Sequence, residues 1–103
     1  MFNSAKSLAN SVDAVKLVLD AARDGVKLLG NNIDYMLLAA FQNYIATTLK
    51  IVSQKVGRNY MDRYQIFVTT ISNLKPYDQL KETINFLIKL AEELQKGSNR
   101  QYF

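Results

Sequence analysis

Apolar residues recur along most of the chain at intervals of three and four, the spacing of one face of an α-helix. Three polar stretches divide this pattern into four segments: Gly30-Asn31-Asn32, Gly57-Arg58-Asn59 and Lys75-Pro76-Tyr77-Asp78. Strict alternation of apolar and polar residues, which is typical of a half-buried strand, is not sustained. We therefore expect an all-α fold with one helix per segment. The residues predicted to face the core are Leu8, Val12, Val15, Leu19, Ala22, Val26 and Leu29 in the first segment, Tyr60, Tyr64, Phe67, Ile71 and Leu74 in the third, and Leu80, Ile84, Leu87, Ala91 and Leu94 in the fourth.

The polar stretches contain residues suited to helix starts. Asn31 precedes Asp34 by three positions, and Asn59 precedes Asp62 in the same way. An asparagine side chain can accept a hydrogen bond from the free N–H groups of a first helical turn, where a carboxylate is also favoured. Asn31 and Asn59 are thus the predicted caps of the second and third helices. Pro76, which fits a first helical position, is the predicted start of the fourth.

Glycines indicate where helices end. Gly57 is suited to the left-handed residue that closes the second helix. Gly25 lies inside the first apolar pattern, where glycine costs about 1 kcal/mol relative to alanine, so the first helix is expected to end or bend there. After Gly97 the periodicity stops, and residues 97–103 are expected to form a loose tail.

The second segment differs from the others because apolar residues cover most of its circumference. A helix of this kind is typically surrounded by several neighbours. With 103 residues the chain has room for one core only. We expect a single domain over residues 1–103, a compact bundle of four helices around a largely buried second helix. The apolar residues of that helix are Ile33, Met36, Leu37, Ala39, Ala40, Phe41, Tyr44, Ile45, Leu49, Val52 and Val56.

Composition argues against catalysis. Cysteine and histidine are both absent, which removes thiolate nucleophiles, Cys/His metal sites and the commonest general base near neutral pH. The sequence also lacks a glycine-rich phosphate loop and a calcium-like spacing of oxygen ligands. We expect a protein that is not an enzyme and that uses no cofactor and no metal ion.

The sequence shows no sign of a membrane partner. The longest uncharged stretch runs from Tyr35 to Leu49, 15 residues, whereas a membrane span needs about 20 apolar residues. No secretory signal is evident at the start of the chain. A cytoplasmic location is the default expectation.

Positive charge is concentrated in one quarter of the chain. The net charge is +4. Residues 1–49 hold four basic and four acidic side chains, and residues 76–103 hold four of each. Residues 50–75 hold five basic side chains and one acidic. This middle segment therefore carries the whole excess, and it is where an anionic partner would bind.

A polar stripe leads into this basic segment. Asn43, Thr47, Lys50 and Gln54 are spaced four, three and four, which places them on one side of the second helix. Cations together with amides and hydroxyls suit phosphate oxygens, and such contacts carry no sequence information. The partner predicted from these residues is the backbone of a nucleic acid. The predicted binding residues are Lys50, Lys55, Arg58, Arg63, Asn43, Thr47 and Gln54.

Two features of this region have simpler interpretations. Tyr60 and Tyr64 could stack on bases, but both lie on the apolar pattern of the third helix, which favours a place in the core. The basic cluster is equally compatible with a solvated turn whose lysines lie near the negative end of the second helix.

A short, basic, all-helical chain with the apolar segment Asn31-Asn32-Ile33-Asp34-Tyr35 through Asn43-Tyr44 resembles the small helical subunit of CRISPR effector complexes. The resemblance extends to the closing segment Thr83-Ile84-Asn85-Phe86-Leu87-Ile88-Lys89-Leu90-Ala91. It implies a non-catalytic subunit of a ribonucleoprotein assembly in antiviral defence. It also implies contacts with larger protein subunits and self-stacking along the nucleic acid, with Lys50, Lys55, Arg58 and Arg63 on the binding face.

A different class of function is open on the same residues. The chain can be a helical structural or adaptor protein, such as a coat subunit or a module that binds a partner helix, without binding nucleic acid. Phe2 at one end and Tyr102-Phe103 at the other suit docking into a neighbour. A helix lying on a membrane surface is less favoured, because the first helix lacks the cationic bias and bulky aromatics of that role.

Overall fold

Four α-helices follow one another along the chain: α1 (Phe2–Leu28), α2 (Tyr35–Val56), α3 (Met61–Thr70) and α4 (Pro76–Arg100). The computed structural model describes the backbone of residues 2–100 and the side chains of residues 12–96. Over that range it contains no strand, and no helix has the length and apolar character needed to cross a bilayer. The predicted all-α, four-helix architecture is confirmed.

Helices in contact run antiparallel in two cases that side-chain contacts establish, α1 with α2 and α3 with α4. Along α1 and α2, a carboxylate oxygen of Asp13 lies 4.0 Å from Nζ of Lys55, and Tyr44 donates a hydrogen bond of 3.0 Å to Asp24. These contacts join opposite ends of the two helices, which therefore run antiparallel. Along α3 and α4 the pairs are Arg63 with Glu93 and Phe67 with Phe86, which gives the same relation. Since α1 also packs closely against α4, the result is a bundle measuring 49 × 24 × 20 Å.

Two of the predicted helix ends are confirmed, and a third is displaced by one residue. Gly57 closes α2 in the left-handed conformation, with φ of 70°, and its N–H donates to the carbonyl of Ser53. Pro76 is the first residue of α4. At the start of α3 the cap position is Tyr60, which makes no side-chain cap bond. The predicted cap, Asn59, lies one residue earlier, and its side-chain oxygen accepts a hydrogen bond of 2.9 Å from the N–H of Met61. Local chemistry sets these boundaries, which is why the sequence reveals them.

The cap of α2 is Asp34, and the prediction of Asn31 is wrong. The Asp34 carboxylate accepts a hydrogen bond of 2.8 Å from the N–H of Leu37. Asn31 lies in the turn after α1, where its own N–H donates to the carbonyl of Leu28 at 3.0 Å. The residue expected to begin α2 therefore completes the turn that ends α1.

We predict that Asp34→Ala lowers the free energy of unfolding by about 1 kcal/mol, because the first turn of α2 loses its side-chain acceptor. Asn31→Ala is the matched control and should change stability by less than about 0.5 kcal/mol. Urea unfolding followed by circular dichroism measures both. An equal loss in the two variants would contradict the placement of the cap.

The buried face of α1 is not the predicted one. Its buried residues are small or medium in size: Ala14, Val15, Val18, Ala21 and Ala22. Val12, Leu19 and Val26, which the pattern places in the core, are exposed. Small side chains let neighbouring helices approach closely, and larger residues of α2 and α4 then fill the space between them. Of the predicted face, Val15 and Ala22 are buried and Leu29 is half-buried, while the side chain of Leu8 lies outside the described residues.

Gly25 explains how close this approach is. The helix does not end at Gly25 but continues to Leu28. A Cβ atom at Gly25 would lie 2.8 Å from Cγ1 of Ile84 on α4 and 2.9 Å from Cζ of Phe41 on α2. Both distances are shorter than carbon atoms tolerate, so the position requires the absence of a side chain. The glycine at position 25 therefore reflects close helix packing, and the predicted helix end or bend there is wrong.

We predict that Gly25→Ala lowers the free energy of unfolding by up to about 2 kcal/mol. The intrinsic helical gain of about 1 kcal/mol is opposed by an overpacking cost of about 1–3 kcal/mol. Gly30→Ala is the control, because the atom nearest to a Cβ there is the carbonyl oxygen of Lys27 at 3.8 Å. A stabilised Gly25→Ala variant in chemical unfolding would show that the three helices are less tightly packed than described.

The predicted core faces of α3 and α4 are confirmed more fully. Tyr60, Tyr64 and Ile71 are buried, and Phe67 and Leu74 are half-buried. All five predicted residues of α4 are buried: Leu80, Ile84, Leu87, Ala91 and Leu94. The backbone of α4 stays helical to Arg100, three residues beyond the expected start of a tail at Gly97. Residues 101–103 and the side chain of Phe2 lie outside the described residues.

The second helix is less buried than the sequence predicts. One face packs into the core through Leu38, Phe41, Ile45, Thr48, Leu49 and Val52. The opposite face is exposed, with Met36 at 82% of its possible exposure. The reason lies in the layout of the bundle, because neighbours cover α2 on the sides facing α1, α3 and α4, and none of the described residues covers its outer side.

Candidate interface on the second helix

Four of the seven predicted binding residues share one exposed surface. Asn43, Thr47, Lys50 and Gln54 are all exposed. At about 100° per residue, they lie close to half a turn away from the buried residues of α2. The same line continues toward the start of the helix through Ala40 and Met36, with spacings of three and four. We call this surface the open face of α2, formed by Met36, Ala40, Asn43, Thr47, Lys50 and Gln54.

Few contacts within the chain restrain the open face. The Thr47 hydroxyl donates a hydrogen bond of 3.1 Å to the carbonyl of Asn43 in its own helix. Among the described residues, no carboxylate pairs with Lys50 or with Arg58. These two cations and the amides of Asn43 and Gln54 are therefore free to bind a partner.

Lys55 points away from the open face. Its Nζ atom lies 4.0 Å from a carboxylate oxygen of Asp13 on α1, and both side chains are partly exposed. Lys55 is five residues beyond Lys50, which turns it about 140° around the helix toward α1. It therefore belongs to the contact between α1 and α2, where one carboxylate already offsets part of its charge.

Arg63 is engaged on the opposite side of the bundle. Its guanidinium donates two hydrogen bonds to the Glu93 carboxylate, at 2.6 and 2.8 Å, and lies 5.8 Å from the centre of the Phe86 ring. These hydrogen bonds raise the pKa of Arg63 and hold the pKa of Glu93 below its usual value, against the opposing effect of burial. Arg63 thus links α3 to α4.

The seven residues do not form one continuous cationic surface. Lys50 faces outward from α2, Lys55 faces α1, and Arg63 faces α4 with a bidentate carboxylate partner. Arg58 stands exposed after Gly57 at the end of α2. The charge excess of residues 50–75 is therefore divided among three sides of the molecule, and two of its members contact carboxylates from outside that segment.

Tyr60 and Tyr64 belong to the core, as their place in the apolar pattern favours. Both are buried. Tyr64 donates a hydrogen bond of 3.3 Å to the carbonyl of Gln42, and burial raises its pKa to about 12. The Tyr64 ring packs against Phe67 and Phe86, with Phe67 and Phe86 stacked at 4.5 Å. Neither tyrosine is available to stack on a base.

A shallow groove of about 370 Å³ lies between α2 and α3, beside the open face. The side chains that line it are all uncharged: Gln42, Asn43, Ala46, Tyr64, Gln65, Val68 and Thr69. At its rear the buried Gln79 donates to the carbonyl of Leu74 at 2.8 Å, and Gln42 donates to Gln79 at 3.5 Å. Gln79 could not be predicted from the sequence, because a glutamine in a helix usually faces solvent.

Apolar side chains flank the open face. Tyr35 is mostly exposed at the start of α2, and Ala39 and Ile51 are exposed along it. Tyr44 lies toward α1, where burial and its hydrogen bond to Asp24 raise its pKa. The surface around the open face is therefore mainly apolar at the start of α2 and mainly polar toward its end.

Within residues 12–96, no cluster of acidic side chains could hold a metal ion. The chain matches no known protein family, and neither the curated proteins nor the solved structures with which it was compared are similar to it. The interpretation of the candidate interface therefore depends on its own chemistry.

We predict that Glu93→Gln lowers the free energy of unfolding at pH 7 by up to about 1 kcal/mol, the upper range for an exposed ion pair. Since the folded pKa of Glu93 is lowered, the stabilisation is present above the ordinary carboxylate pKa of about 4.3 and is lost as the pH falls below it. The gap between wild type and variant should therefore close between about pH 5 and pH 3.

Glu92→Gln is the control for this measurement, because Glu92 is exposed and has no described ion pair. Urea unfolding of the three proteins across the same pH range gives the comparison. A gap for Glu93→Gln that is independent of pH would contradict the ion pair with Arg63.

Proposed function

We propose that the protein is a non-catalytic helical adaptor subunit that binds a partner helix along the open face of α2. The observation that supports this most directly is a helix whose outward side is exposed yet carries no charge from Tyr35 to Leu49. Surface helices usually place charged residues on the side facing solvent. An uncharged outer side is instead suited to contact with another protein.

The spacing of the open face fits a helical partner. Met36, Ala40, Asn43 and Thr47 recur at intervals of four and three, the pattern by which two helices meet along a seam. Alanine and threonine are small enough for the backbones to approach, and Met36 supplies a flexible apolar side chain that fills irregular space. Buried amides at such a seam fix its register. The partner we expect is an amphipathic helix with an acidic residue opposite Lys50.

The groove between α2 and α3 supports the same proposal. Its rim carries the amides of Asn43 and Gln65 and the hydroxyl of Thr69. Ile66 is also exposed on α3, at 69%, beside a second surface depression that Gln65 and Thr69 share. A partner helix lying along α2 would place the side chains of one edge over this neutral groove.

Nucleic-acid binding is the second candidate, and one observation favours it. Lys50 and the exposed amides and hydroxyl of the open face lie together, with Arg58 beyond the end of α2. In this proposal the protein is the backbone-binding small subunit of a ribonucleoprotein assembly, as its resemblance to the CRISPR effector small subunit implies. The ion pairs of Lys55 and Arg63 leave fewer cations for phosphate than the sequence suggests.

A salt series separates the two candidates. Binding to labelled single- and double-stranded nucleic acid is measured for the wild type, Lys50→Ala and, as a control on α4, Lys89→Ala. Adaptor function predicts no binding at physiological salt. Backbone binding through Lys50 and Arg58 predicts a log–log slope of about −1.8, and all four predicted cations together would give about −3.6. A slope of about −1.8 or steeper that becomes shallower in Lys50→Ala, and not in Lys89→Ala, would overturn the adaptor proposal.

We predict that Ala40→Glu abolishes binding of the partner protein while leaving the fold intact, because Ala40 is exposed and a carboxylate there cannot enter an uncharged seam. A photo-crosslinking residue at Met36, used in extracts of the source cells, identifies the partner. Its affinity for the purified chain should then fall at least about tenfold in Ala40→Glu and stay unchanged in the control on α4, Lys89→Glu, whose side chain is exposed away from the open face. Equal affinities for wild type and Ala40→Glu would contradict the proposed seam.

A further inference from the structure

One uncharged segment, most of it within α3, has the composition of a β-strand. Six of the seven residues from Gln65 to Ile71 are β-branched or aromatic, types that favour strands over helices. Outside residues 64–74, no uncharged stretch of seven residues in the chain has more than four. The segment also contains no proline and no glycine. This combination is the sequence signature of segments that stack as cross-β structure when they are released from a fold.

The helix that holds this segment is intrinsically weak. α3 has only 10 residues, fewer than an isolated helix needs to be stable in water. Its cap residue, Tyr60, makes no side-chain cap hydrogen bond. The hydroxyl of Thr70 donates to the carbonyl of Ile66 at 2.9 Å, and Thr69 makes the same kind of bond, an arrangement that slightly destabilises a helix. The helical state of α3 therefore depends on its contacts with the rest of the bundle.

Side chains, rather than close backbone packing, hold α3 against α4. Among the described residues, no Cα atom of α3 lies within 8 Å of a Cα atom of α4 or of α1. Phe67 instead stacks on Phe86 at 4.5 Å, with both side chains half-buried. Arg63 binds Glu93 through two exposed hydrogen bonds. Because α1, α2 and α4 meet closely at Gly25, α3 is the helix that can leave while the other three stay packed.

We propose that residues 65–71 are a conformational switch: they are helical in the folded chain, and when α3 detaches they become β-strands that stack with the same residues of other copies into a cross-β fibril. Identical uncharged segments stack in register without like charges meeting, and their backbone N–H and C=O groups pair with the copies above and below. The partner of the segment is therefore the same segment of another copy. This assembly does not depend on the open face of α2 or on the function proposed above.

The alternation of a strand gives the segment two uncharged faces. One face carries every second residue from Gln65 onward, and the other carries Ile66, Val68 and Thr70. A face of β-branched side chains is suited to the dry, interdigitated contact between two sheets of a fibril. In the folded chain this face does not exist, because the helix turns Ile66 and Thr70 to solvent and Val68 toward the groove beside α2.

A shorter stretch of similar composition in α4 stays protected. Residues 83–88 are uncharged and include four β-branched or aromatic side chains. Ile84 lies at the closest approach of α1 and α4, beside Gly25, and Leu87 is fully buried. This stretch therefore stays in the core when α3 detaches, and it supplies a matched control.

Fibril formation by the full chain tests the proposal. We predict that the wild type, agitated in urea below its unfolding midpoint, forms fibrils that bind thioflavin T and diffract at about 4.7 Å. Ile66→Lys should lengthen the lag time at least about tenfold, because it places a charge in every layer of the stack. Ile66 is 69% exposed in the folded chain, so the substitution leaves the fold intact, which circular dichroism verifies.

Ile88→Lys is the control, because it adds the same charge at an exposed position of the α4 stretch. It should form fibrils with the lag time of the wild type. A wild type that forms no fibrils, or an Ile66→Lys variant that forms them as fast as the wild type, would overturn the proposal. Equal suppression by Ile88→Lys would also overturn it, because the effect would then not be specific to residues 65–71.

Hydrogen exchange tests whether α3 opens as a unit. Amide hydrogens of α3 should exchange at least about tenfold faster than those of the buried parts of α2 and α4. Glu93→Gln weakens the contact with Arg63, so it should speed exchange in α3 by up to about fivefold and shorten the lag time of fibril formation. Glu92→Gln should change neither. Exchange that rises equally in all helices of Glu93→Gln would contradict the switch, because α3 would then not open separately.

Discussion

The contact of the α1 backbone at Gly25 with Phe41 of α2 and Ile84 of α4 is the constraint on which the bundle depends. Three helices meet at a point where even a methyl group has no room. So close an approach requires small residues along the same side of α1, and Ala14, Ala21 and Ala22 supply them. In this fold the larger partners provide the volume of the core, and α1 provides the surface on which they pack.

The exposed surfaces of the protein follow from that choice. Because α1 buries its small residues, its larger ones, Val12, Leu19 and Val26, remain outside. Because α1 and α4 occupy the inner sides of α2, the outer side of α2 has no neighbour, although its sequence is almost uncharged. The line on α1 is apolar, and the outer side of α2 is uncharged from Tyr35 to Leu49. A solitary globular domain would cover such surfaces or replace them with charge. The close packing of the small residues of α1 therefore leaves two exposed surfaces suited to contact with other proteins.

The sequence predicted those features that depend on nearby residues. Gly57, Pro76 and Asn59 mark helix ends through their own backbone or side-chain chemistry, and the core faces of α3 and α4 follow a single apolar stripe. On α1 two stripes compete, one small and one large, and periodicity cannot choose between them. Only the shapes of Phe41 and Ile84, distant in sequence, select the small one. Asn31 and Asp34 are also two candidates that the sequence cannot separate, since both residue types are good caps. Asn31 belongs to the turn that ends α1, so Asp34 becomes the cap of α2.

The candidate site shows the same limit in its charges. Counting along the chain places four excess cations between residues 50 and 75. Successive positions of a helix point in different directions, however, and carboxylates from other segments pair with two of these cations. Glu93, thirty residues after Arg63, holds that guanidinium against α4, and Asp13 approaches Lys55 from α1. The stripe of Asn43, Thr47, Lys50 and Gln54 kept its form because one helix determines it. A surface is therefore best predicted from sequence when all its residues lie on one helix. The open face of α2 meets that condition, and the wider basic cluster does not.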